Sequence, residues 1–353
     1  MSELEPLGGW STVVSTLLSS TDLADDLAAA AMSEILGGEA SEAQIAAFLV
    51  ALRAKGEAPT ELAAMLAVAM QHAAIVPLTD HERSASIDVV GTGGDGSDSV
   101  NVSTMAALVV AGAGVPVCKH GNRSASSRCG TADVLEALGV ALDLDPDGVA
   151  ACVRTAGFGF CLATQHHPAF RFAGPVRRQL GVPTAFNMLG PMANPGRVRQ
   201  QLIGVARPDF APIMADALPR QGVTSAWVVH GAGFDEITTT GVTSVHRVRD
   251  GEVDRFDIDP ADHGLAAATA DDLRGGDVNE NAAAVRAVLG GAAGPHRDIV
   301  LLNAAAALVV AERAVDLNEG LDIAAAAIDD GSAAGVLDSL VATSNEHSPG
   351  SSS

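Results

Sequence analysis

The stretch DVVGTGGDGSDSVNVST, residues 88–104, decides the fold because a strand-like run leads into a glycine-rich loop and then into a helix. The run SIDVV, which starts at Ser86, is typical of a short buried strand, and the helix is predicted to begin at Ser103 or Thr104. Glycines at 91, 93, 94 and 96 let the backbone turn sharply and bring its N–H groups against a ligand. Because a helix N-terminus faces the same space, the stretch predicts an anion-binding cradle.

The glycine spacing alone does not identify which anion binds. No Gly-Lys-Ser/Thr follows, so the stretch is not a Walker loop, and no helix opens directly after the Gly-x-Gly-x-x-Gly spacing. A plain surface loop therefore stays an alternative at this point. Asp95 would repel an oxyanion, so we expect it to accept hydrogen bonds from a ligand hydroxyl or from loop amides, to neighbour a metal ion, or simply to favour a turn.

A second candidate site is the basic stretch KHGNRSASSR, which begins at Lys119 directly after the strand-like run VPVC. Open α/β sheets bind ligands at the carboxyl ends of their strands, and cations interleaved with hydroxyl groups suit a phosphate. Asn122 can orient a polar ring substituent because its amide both donates and accepts. The alternative is a solvated basic turn.

Composition limits the classes of function. The chain has 353 residues, with 43 acidic and 21 basic side chains and a formal net charge of −22. This charge argues against nucleic acid and anionic membranes as partners. The four cysteines lack metal-binding or redox spacing, no signal segment is evident, and the longest apolar run, residues 105–117, is too short to span a bilayer. These features predict a cytoplasmic protein with free thiols.

The first 80 residues are predicted to be helical. Apolar residues recur at helical spacing from about Trp10 to about Val76. Ser41 with Gln44 forms a predicted capping box, Gly56 is a plausible helix end, and Thr60 is the predicted N-cap of the next helix.

After Ser86 the pattern changes to strand-like runs that alternate with helices. These runs are VPVCKHG, DVLEALGV, GFGFCLA, QLIGVA, SAWVVHG and TSVHRVR. The prediction is an α/β protein with a small all-helical N-terminal domain and a larger α/β domain, whose central, mostly parallel sheet is flanked by helices. We expect the domains to span 1–82 and 83–343, with a helical insertion at about 165–185 packing against the first, and a disordered tail at 344–353.

Taken together, the motifs resemble anthranilate phosphoribosyltransferases. The resemblance rests on GTGGDG, NVST, KHGNRSASS and ADVLEALG in this order, followed by HPAFRFAGPVRRQLGVPTAFNMLGPMANP and VVHGAGFDEIT, and it covers about residues 10–340. It implies a helical domain joined to an α/β domain with substrates in the cleft, and a homodimer. It also implies transfer of the phosphoribosyl group from phosphoribosyl pyrophosphate to anthranilate, with Mg²⁺, in tryptophan synthesis.

The resemblance also implies site residues. Those that match contacts to phosphoribosyl pyrophosphate are Gly91, Gly94, Asp95, Ser99, Asn101, Val102, Ser103, Thr104, Lys119, His120, Gly121, Asn122, Arg123, Ser124, Ala125, Ser126, Ser127 and Thr131. Those that match anthranilate contacts are Gly91, Asn122 and Arg177, and those that match the Mg²⁺ positions are Ser103, Asp235 and Glu236.

The residue types suit these roles. Asp235 and Glu236 follow the strand-like run SAWVVHG, where a loop can aim two carboxylates at Mg²⁺, although such a pair alone would be read as surface charge. Arg177 offers a guanidinium fork to the anthranilate carboxylate, and either Arg177 or Arg178 is expected to lie on a solvated helix face. No residue is assigned as a general base, because an aniline nitrogen becomes strongly acidic as it is alkylated.

The chain departs from the family pattern at a few positions. Cys129 stands where a serine is usual, and His166 where an apolar or aromatic residue is expected; without tyrosines, aromatic contacts near anthranilate are left to residues such as Phe160 or Phe170.

Two alternative functions remain. A pyrimidine-type nucleoside phosphorylase shares the fold and a Lys-His segment, and a non-catalytic relative could bind nucleic acid, although the net charge disfavours it.

Overall fold

The computed structural model describes residues 3–124 and 128–349. The predictions that concern Ala125, Ser126 and Ser127, and those on the last four residues of the tail, lie outside this part of the chain. No helix within the two described ranges is long and apolar enough to cross a membrane.

The N-terminal residues are helical, as the periodicity predicts. The helices are α1 (Gly9–Leu18), α2 (Asp25–Gly37), α3 (Glu42–Lys55), α4 (Pro59–Gln71) and α5 (Asp80–Ala85). The capping box at Ser41 and the end of α3 at Gly56 are confirmed. The predicted N-cap at Thr60 is wrong: α4 begins two residues earlier, because Pro59 fits the first turn and the Glu61 carboxylate accepts the N–H of Ala58 (2.8 Å).

A buried carboxylate ties three of these helices together. Glu61 is fully buried and accepts hydrogen bonds from the N–H of Leu23 (2.7 Å) and from the Lys55 ammonium (2.8 Å). Because Leu23 precedes α2, Lys55 ends α3 and Glu61 lies in α4, this one side chain fixes how the helices meet.

The α/β part is built on a seven-stranded sheet. The strands are β1 (Ile87–Gly91), β2 (Val117–Gly121), β3 (Phe158–Leu162), β4 (Gln200–Gly204), β5 (Ser225–Gly231), β6 (Thr243–Arg249) and β7 (Glu252–Ile258). Their order is β3-β2-β1-β4-β5-β6-β7. Strands β1 to β5 pair in parallel, and β6 and β7 extend the sheet as an antiparallel pair. The prediction of a mostly parallel sheet is confirmed.

Helices occupy both faces of the sheet. They are α6 (Val102–Gly112), α7 (Thr131–Ala137), α8 (Pro146–Ala156), α9 (Ala163–His166), α10 (Gly174–Leu180), α11 (Ala185–Met192), α12 (Phe210–Ala217), α13 (Val278–Leu289), α14 (Pro295–Val310), α15 (Leu317–Asp329) and α16 (Ser332–Glu346). The run DVLEALGV, expected to be strand-like, lies mostly in α7. Its apolar residues at 134, 135 and 138 follow the helical period as well as a strand, and a run this short cannot decide between them.

Two further expectations meet a different structure. The segment predicted as a helical insertion is broken into α9, a 3-10 turn (Pro168–Phe172) and α10, since prolines and a glycine interrupt it; it packs against α2 and α3. Helix α16 continues to Glu346, so the first three residues of the predicted tail are helical. Ser344 is fully buried and its hydroxyl accepts the N–H of Ala141 (3.0 Å).

Buried side chains form two clusters, one on each face of the sheet. The first lies between β1, β2, β3 and the helices α6, α8, α14 and α16. The second joins the N-terminal helices to α11, α12 and the opposite face of β4 and β5. The carboxyl ends of the parallel strands lie between these layers, and the candidate site is built there.

Candidate active site

The glycine-rich loop after β1 is held by its own aspartate. Gly93, Gly94 and Gly96 have φ values of 66°, 79° and 72°, a region that glycine adopts without strain. Asp95 accepts the N–H of Ser97 (3.1 Å) and, more weakly, that of Asp235 (3.4 Å). Of the roles expected for Asp95, the structure therefore contains acceptance from backbone amides.

The loop that carries the two candidate metal ligands packs directly on the ends of β1 and β4. A Cβ atom on Gly204 would lie 1.5 Å from the backbone oxygen of Asp235, and one on Gly91 would lie 2.5 Å from its Oδ2. The same Oδ2 accepts the N–H of Gly93 (2.7 Å). Glycine is therefore required at both strand ends for the Asp235 carboxylate to reach the glycine-rich loop.

Ser103, Glu236 and Lys119 meet at the N-terminus of α6. The backbone N–H of Ser103 donates to Oε1 of Glu236 (3.1 Å), which fits an anion at the positive end of a helix. Lys119 is fully buried, and its ammonium donates to the carbonyl of Val89 and to the Ser103 hydroxyl (3.3 Å). The structure thus brings the three predicted metal positions together and places the predicted lysine beside them.

Full ionisation of the carboxylates here would place more negative charge at the site than the protein neutralises. Desolvation and the neighbouring Asp95 raise the pKa of Asp235 to about 7, and desolvation with Asp235 raises the pKa of Glu236 well above its usual value. Desolvation also lowers the pKa of Lys119, although the surrounding carboxylates oppose that shift. An additional cation at this position would stabilise the ionised carboxylates.

The donor set fits Mg²⁺ rather than a metal held entirely by protein. Two carboxylates and one hydroxyl are hard oxygen ligands, which Mg²⁺ prefers. Across residues 3–124 and 128–349 no group of three or more His, Cys, Asp or Glu side chains is arranged to hold a metal. The remaining ligands would therefore be substrate oxygens and water, as is common for Mg²⁺.

The other residues predicted around α6 lie along one side of the cradle. The Asn101 amide donates to the carbonyl of Cys129 (3.3 Å), and the hydroxyl groups of Thr104 and Thr131 are 3.4 Å apart. Ser99 pairs with Arg274 as an isolated bridge. Val102 is the first residue of α6 and is buried in the core.

The basic stretch divides between the interior and the surface. Lys119 and His120 are buried in β2, which ends at Gly121, whereas Asn122 and Arg123 are exposed. The Arg123 guanidinium binds carboxylates of α7, namely Glu136 (2.9 Å for both N–H···O contacts) and Asp133 (3.1 Å). Ser124 donates its N–H to Asp133 (3.1 Å). In this structure Arg123 is therefore committed to α7 rather than to the cradle.

Aromatic and histidine side chains connect β2 to the predicted anthranilate residue. The rings of His120 and His167 lie 5.1 Å apart, His167 stacks on Phe170 (4.9 Å), and Phe170 meets the edge of Phe186 (5.3 Å). The Arg177 guanidinium lies over Phe186 at 5.1 Å. Of the two phenylalanines expected near this pocket, Phe170 belongs to the cluster; the other packs beneath the end of β2.

The two central histidines are neutral donors to backbone carbonyls. Nδ1 of His120 donates to Gly190 (2.9 Å) and Nε2 of His167 donates to Ala193 (2.7 Å). Desolvation lowers the pKa of His120 well below its usual value and that of His167 to about 4. His167 and Phe186 lie within the stretch HPAFRFAGPVRRQLGVPTAFNMLGPMANP quoted above, but no role was predicted for either residue.

The structure separates the two adjacent arginines. Arg177 is partly buried, and desolvation lowers the pKa of its guanidinium. No ion pair to Arg177 occurs among the residues that the structure describes, so its charge is without an acidic neighbour. Arg178 is exposed, which agrees with the expectation that one of the pair lies on a solvated face.

His166, the departure from the family pattern, is part of a contact between two segments. It is fully buried, and its Nδ1 donates to the carbonyl of Ala74 (2.8 Å), while its own carbonyl accepts the N–H of Ala74 (2.8 Å). Ala74 lies in the connection between α4 and α5. The side chain therefore fastens this connection to the segment that carries His167.

Asn303, a buried residue that the sequence did not single out, braces the carboxylate loop. It is fully buried on α14; its Oδ1 accepts the N–H of Ile237 (3.0 Å) and its Nδ2 donates to the carbonyl of the same residue (2.7 Å). Because Ile237 follows Glu236 directly, this clamp fixes where the Glu236 backbone lies. The available signal was a single amide within the apolar run LLNAAAALVV.

This fold and this site define a class of protein. Residues 83–334 match the model of the glycosyl transferase family, a/b domain, and residues 11–73 match that of its helical bundle domain. The two matches cover most of the chain and coincide with its α/β and helical parts.

Individual relatives narrow the class. The chain is 53% identical to the anthranilate phosphoribosyltransferase of Salinispora arenicola over 334 residues, which cover 93% of this chain and 94% of that protein. The crystal structure of anthranilate phosphoribosyltransferase from Thermus thermophilus is 41% identical with a TM-score of 0.88, covering 94% of this chain and 99% of that one. The chain belongs to the anthranilate phosphoribosyltransferase family.

A structure from yeast gives a liganded comparison. The Saccharomyces cerevisiae anthranilate phosphoribosyltransferase in complex with PRPP and Mg is 27% identical to this chain with a TM-score of 0.84. The similarity covers 96% of this chain and 98% of the yeast chain.

Proposed function

We propose that this protein transfers the 5-phosphoribosyl group of phosphoribosyl pyrophosphate to the amine of anthranilate and releases pyrophosphate, a step of tryptophan synthesis. One observation carries the proposal: a glycine-rich cradle, a buried lysine and two carboxylates converge at one edge of the sheet. They do so in a chain that is 53% identical to an anthranilate phosphoribosyltransferase. The cradle suits a diphosphate, and the carboxylates suit the cation that accompanies it.

The diphosphate end would be bound by backbone amides and by Lys119. The N–H groups of the loop and of the α6 N-terminus are fixed before any substrate arrives, so they stabilise charge on a departing pyrophosphate without reorganising. Lys119 is held by the carbonyl of Val89 and the Ser103 hydroxyl, which keeps its ammonium at this end of β2.

Ser103, Asp235 and Glu236 would hold Mg²⁺. Bound there, Mg²⁺ would supply Lewis-acid stabilisation to the phosphate oxygens of the substrate. The clamp on Ile237 and the packing on Gly204 hold the carboxylate loop in place.

The acceptor end would be formed by Arg177, the aromatic cluster and Asn122. A desolvated guanidinium without an acidic neighbour offers a fork to the carboxylate of anthranilate, and Phe186 beneath it holds the fork in place. The amine is then aimed at C1 of the ribose, so the rate arises from positioning and electrostatics. We assign no general base.

The direct test is the loss of anthranilate fluorescence on mixing with phosphoribosyl pyrophosphate, with and without Mg²⁺. We expect loss only when all components are present, with one pyrophosphate released per anthranilate consumed. Consumption of free phosphate with a nucleoside, and no loss of anthranilate, would instead indicate the nucleoside phosphorylase.

The homodimer is a separate proposal. Leu18 on α1 and Val50 on α3 are 72% and 47% exposed on two helices that pack together, and covering them would remove apolar surface from water. Light scattering should give twice the chain mass, and the Leu18→Glu variant should have the mass of a single chain.

The domain division at residues 82 and 83 is likewise proposed, and the cytoplasmic location stays a prediction.

A further inference from the structure

The glycine-rich loop is paired with a segment far along the chain. The N–H of Val100 donates to the carbonyl of Leu273 (3.0 Å), and the N–H of Gly275 donates to the carbonyl of Asp98 (2.8 Å). These contacts bring the first turn of α13 beside the start of α6. One side chain of that turn, Asn281, reaches the cradle.

Asn281 is 3% exposed, and its amide hydrogen-bonds the Cys129 side chain as well as two further partners. Its Oδ1 accepts the backbone N–H of Gly276 (2.7 Å), and its Nδ2 donates to Oδ1 of Asn101 (2.9 Å). Asn101 in turn donates its Nδ2 to the carbonyl of Cys129 (3.3 Å). The relay therefore runs from Gly276 through both asparagines to Cys129.

The two ends of the relay fix its direction. A backbone N–H can only donate and a carbonyl can only accept, so Gly276 and Cys129 leave one consistent orientation for each amide between them. In that orientation the oxygen of Asn101 is occupied by Asn281. The Asn101 amide then turns its NH₂ group, which carries a second hydrogen, away from Asn281.

We infer that Asn281 is a positioning residue that makes Asn101 present a hydrogen-bond donor, rather than an acceptor, to the diphosphate. The inference rests on the proposed function, in which Asn101 contacts phosphoribosyl pyrophosphate. A donor attracts a phosphate oxygen, whereas a reversed amide would aim its own oxygen at it. Asn281 reaches the substrate only through Asn101.

The test is Asn281→Asp, which keeps the shape and the acceptor for Gly276 but replaces the donor facing Asn101 with an oxygen. Asn101 can then keep its contact with residue 281 only by reversing and giving up its hydrogen bond to the Cys129 carbonyl, and the KM for phosphoribosyl pyrophosphate should rise at least tenfold, because a hydrogen bond to a charged group is lost. The KM for anthranilate should stay within twofold. The control Ser344→Ala removes another buried partner of a backbone N–H, on α16, and should change neither KM.

A double variant separates positioning from general damage. If Asn281 acts through Asn101, then Asn101→Ala with Asn281→Asp should have the same KM for phosphoribosyl pyrophosphate as Asn101→Ala alone. Multiplied effects, or a wild-type KM in Asn281→Asp, would overturn the inference. If Asn281→Asp does not fold, Asn281→Ser is put through the same comparison with the same criteria. An inactive wild-type protein would instead overturn the proposed function.

Discussion

Acidification from pH 7.5 to 5.5 should remove the stability that depends on buried neutral histidines, and His167 allows the size of its own contribution to be worked out. The pKa of His167 in the folded protein is about 4, below its ordinary value of 6.5, because the ring is desolvated. The unfolded chain therefore binds more protons between these two values, so stability is complete above pH 6.5 and is lost as the pH falls toward 4. At pH 5.5 the linkage amounts to about 1.4 kcal/mol for this one side chain.

The matched variant is His167→Gln, whose amide nitrogen can still donate to the carbonyl of Ala193 but does not titrate in this range. Urea denaturation, followed by the fluorescence of Trp10 and Trp227, gives the unfolding free energy of both proteins at both pH values. The wild-type protein should lose about 1.4 kcal/mol more than the variant on acidification. His120 and His166 have lowered pKa values too; desolvation is the main cause for both and persists in the variant, whereas the smaller lowering that His167 exerts on His120 is removed with it. An equal loss in wild type and variant would refute the reasoning.

Three further outcomes can be checked by standard measurements. Gly204→Ala should lower kcat by at least about tenfold, because its methyl group would displace the backbone of Asp235; steady-state kinetics at saturating substrate measure this, and wild-type turnover would contradict it. Arg177→Ala should raise the KM for anthranilate by about tenfold or more and leave that for phosphoribosyl pyrophosphate within twofold, with Arg178→Ala as the exposed control; equal effects on both substrates would exclude the assigned role. Glu61→Leu should lower the unfolding free energy by about 3 kcal/mol, because it leaves two backbone N–H groups unpaired and takes the buried carboxylate from the Lys55 ammonium, which keeps only Asp22 and the Gly56 carbonyl; calorimetry that finds no change in Tm would contradict it.

Local patterns were enough to predict the frame of the site. A strand, a glycine-rich loop and a helix start follow one another within residues 87–104, so their geometry depends on near neighbours in the chain. The carboxyl ends of parallel strands meet at one edge, which is why Lys119 and Asp235 could be expected near each other although over a hundred residues separate them.

Contacts between distant segments could not be predicted in the same way. Asn281 and Asn303 act on loops that lie far from them in sequence, and an asparagine in an alanine-rich helix has no local pattern that reveals its partner. Arg123 shows the opposite case. Its place in a basic stretch favoured phosphate, but the helical turn of α7 brings two carboxylates to it, and their charge holds the guanidinium there.

Helix boundaries were predicted wrongly where a tertiary or capping contact outweighed the local sequence preference. Thr60 is a better capping residue than Ala58, but Glu61 caps the backbone itself and shifts the start of α4. The polar composition of the last ten residues suggested disorder, whereas the burial of Ser344 extends α16 by a turn.

The second buried cluster belongs at once to the N-terminal bundle and to the sheet. Phe210 and Met214 of α12 and Ile203 of β4 are covered together with side chains of α2 to α4. A fragment that ends between the two matched segments would expose this apolar face of the sheet to water and would therefore be prone to aggregate. Chimeras with a bundle from another member of the family would therefore need the facing residues of α12 and β4 exchanged along with it.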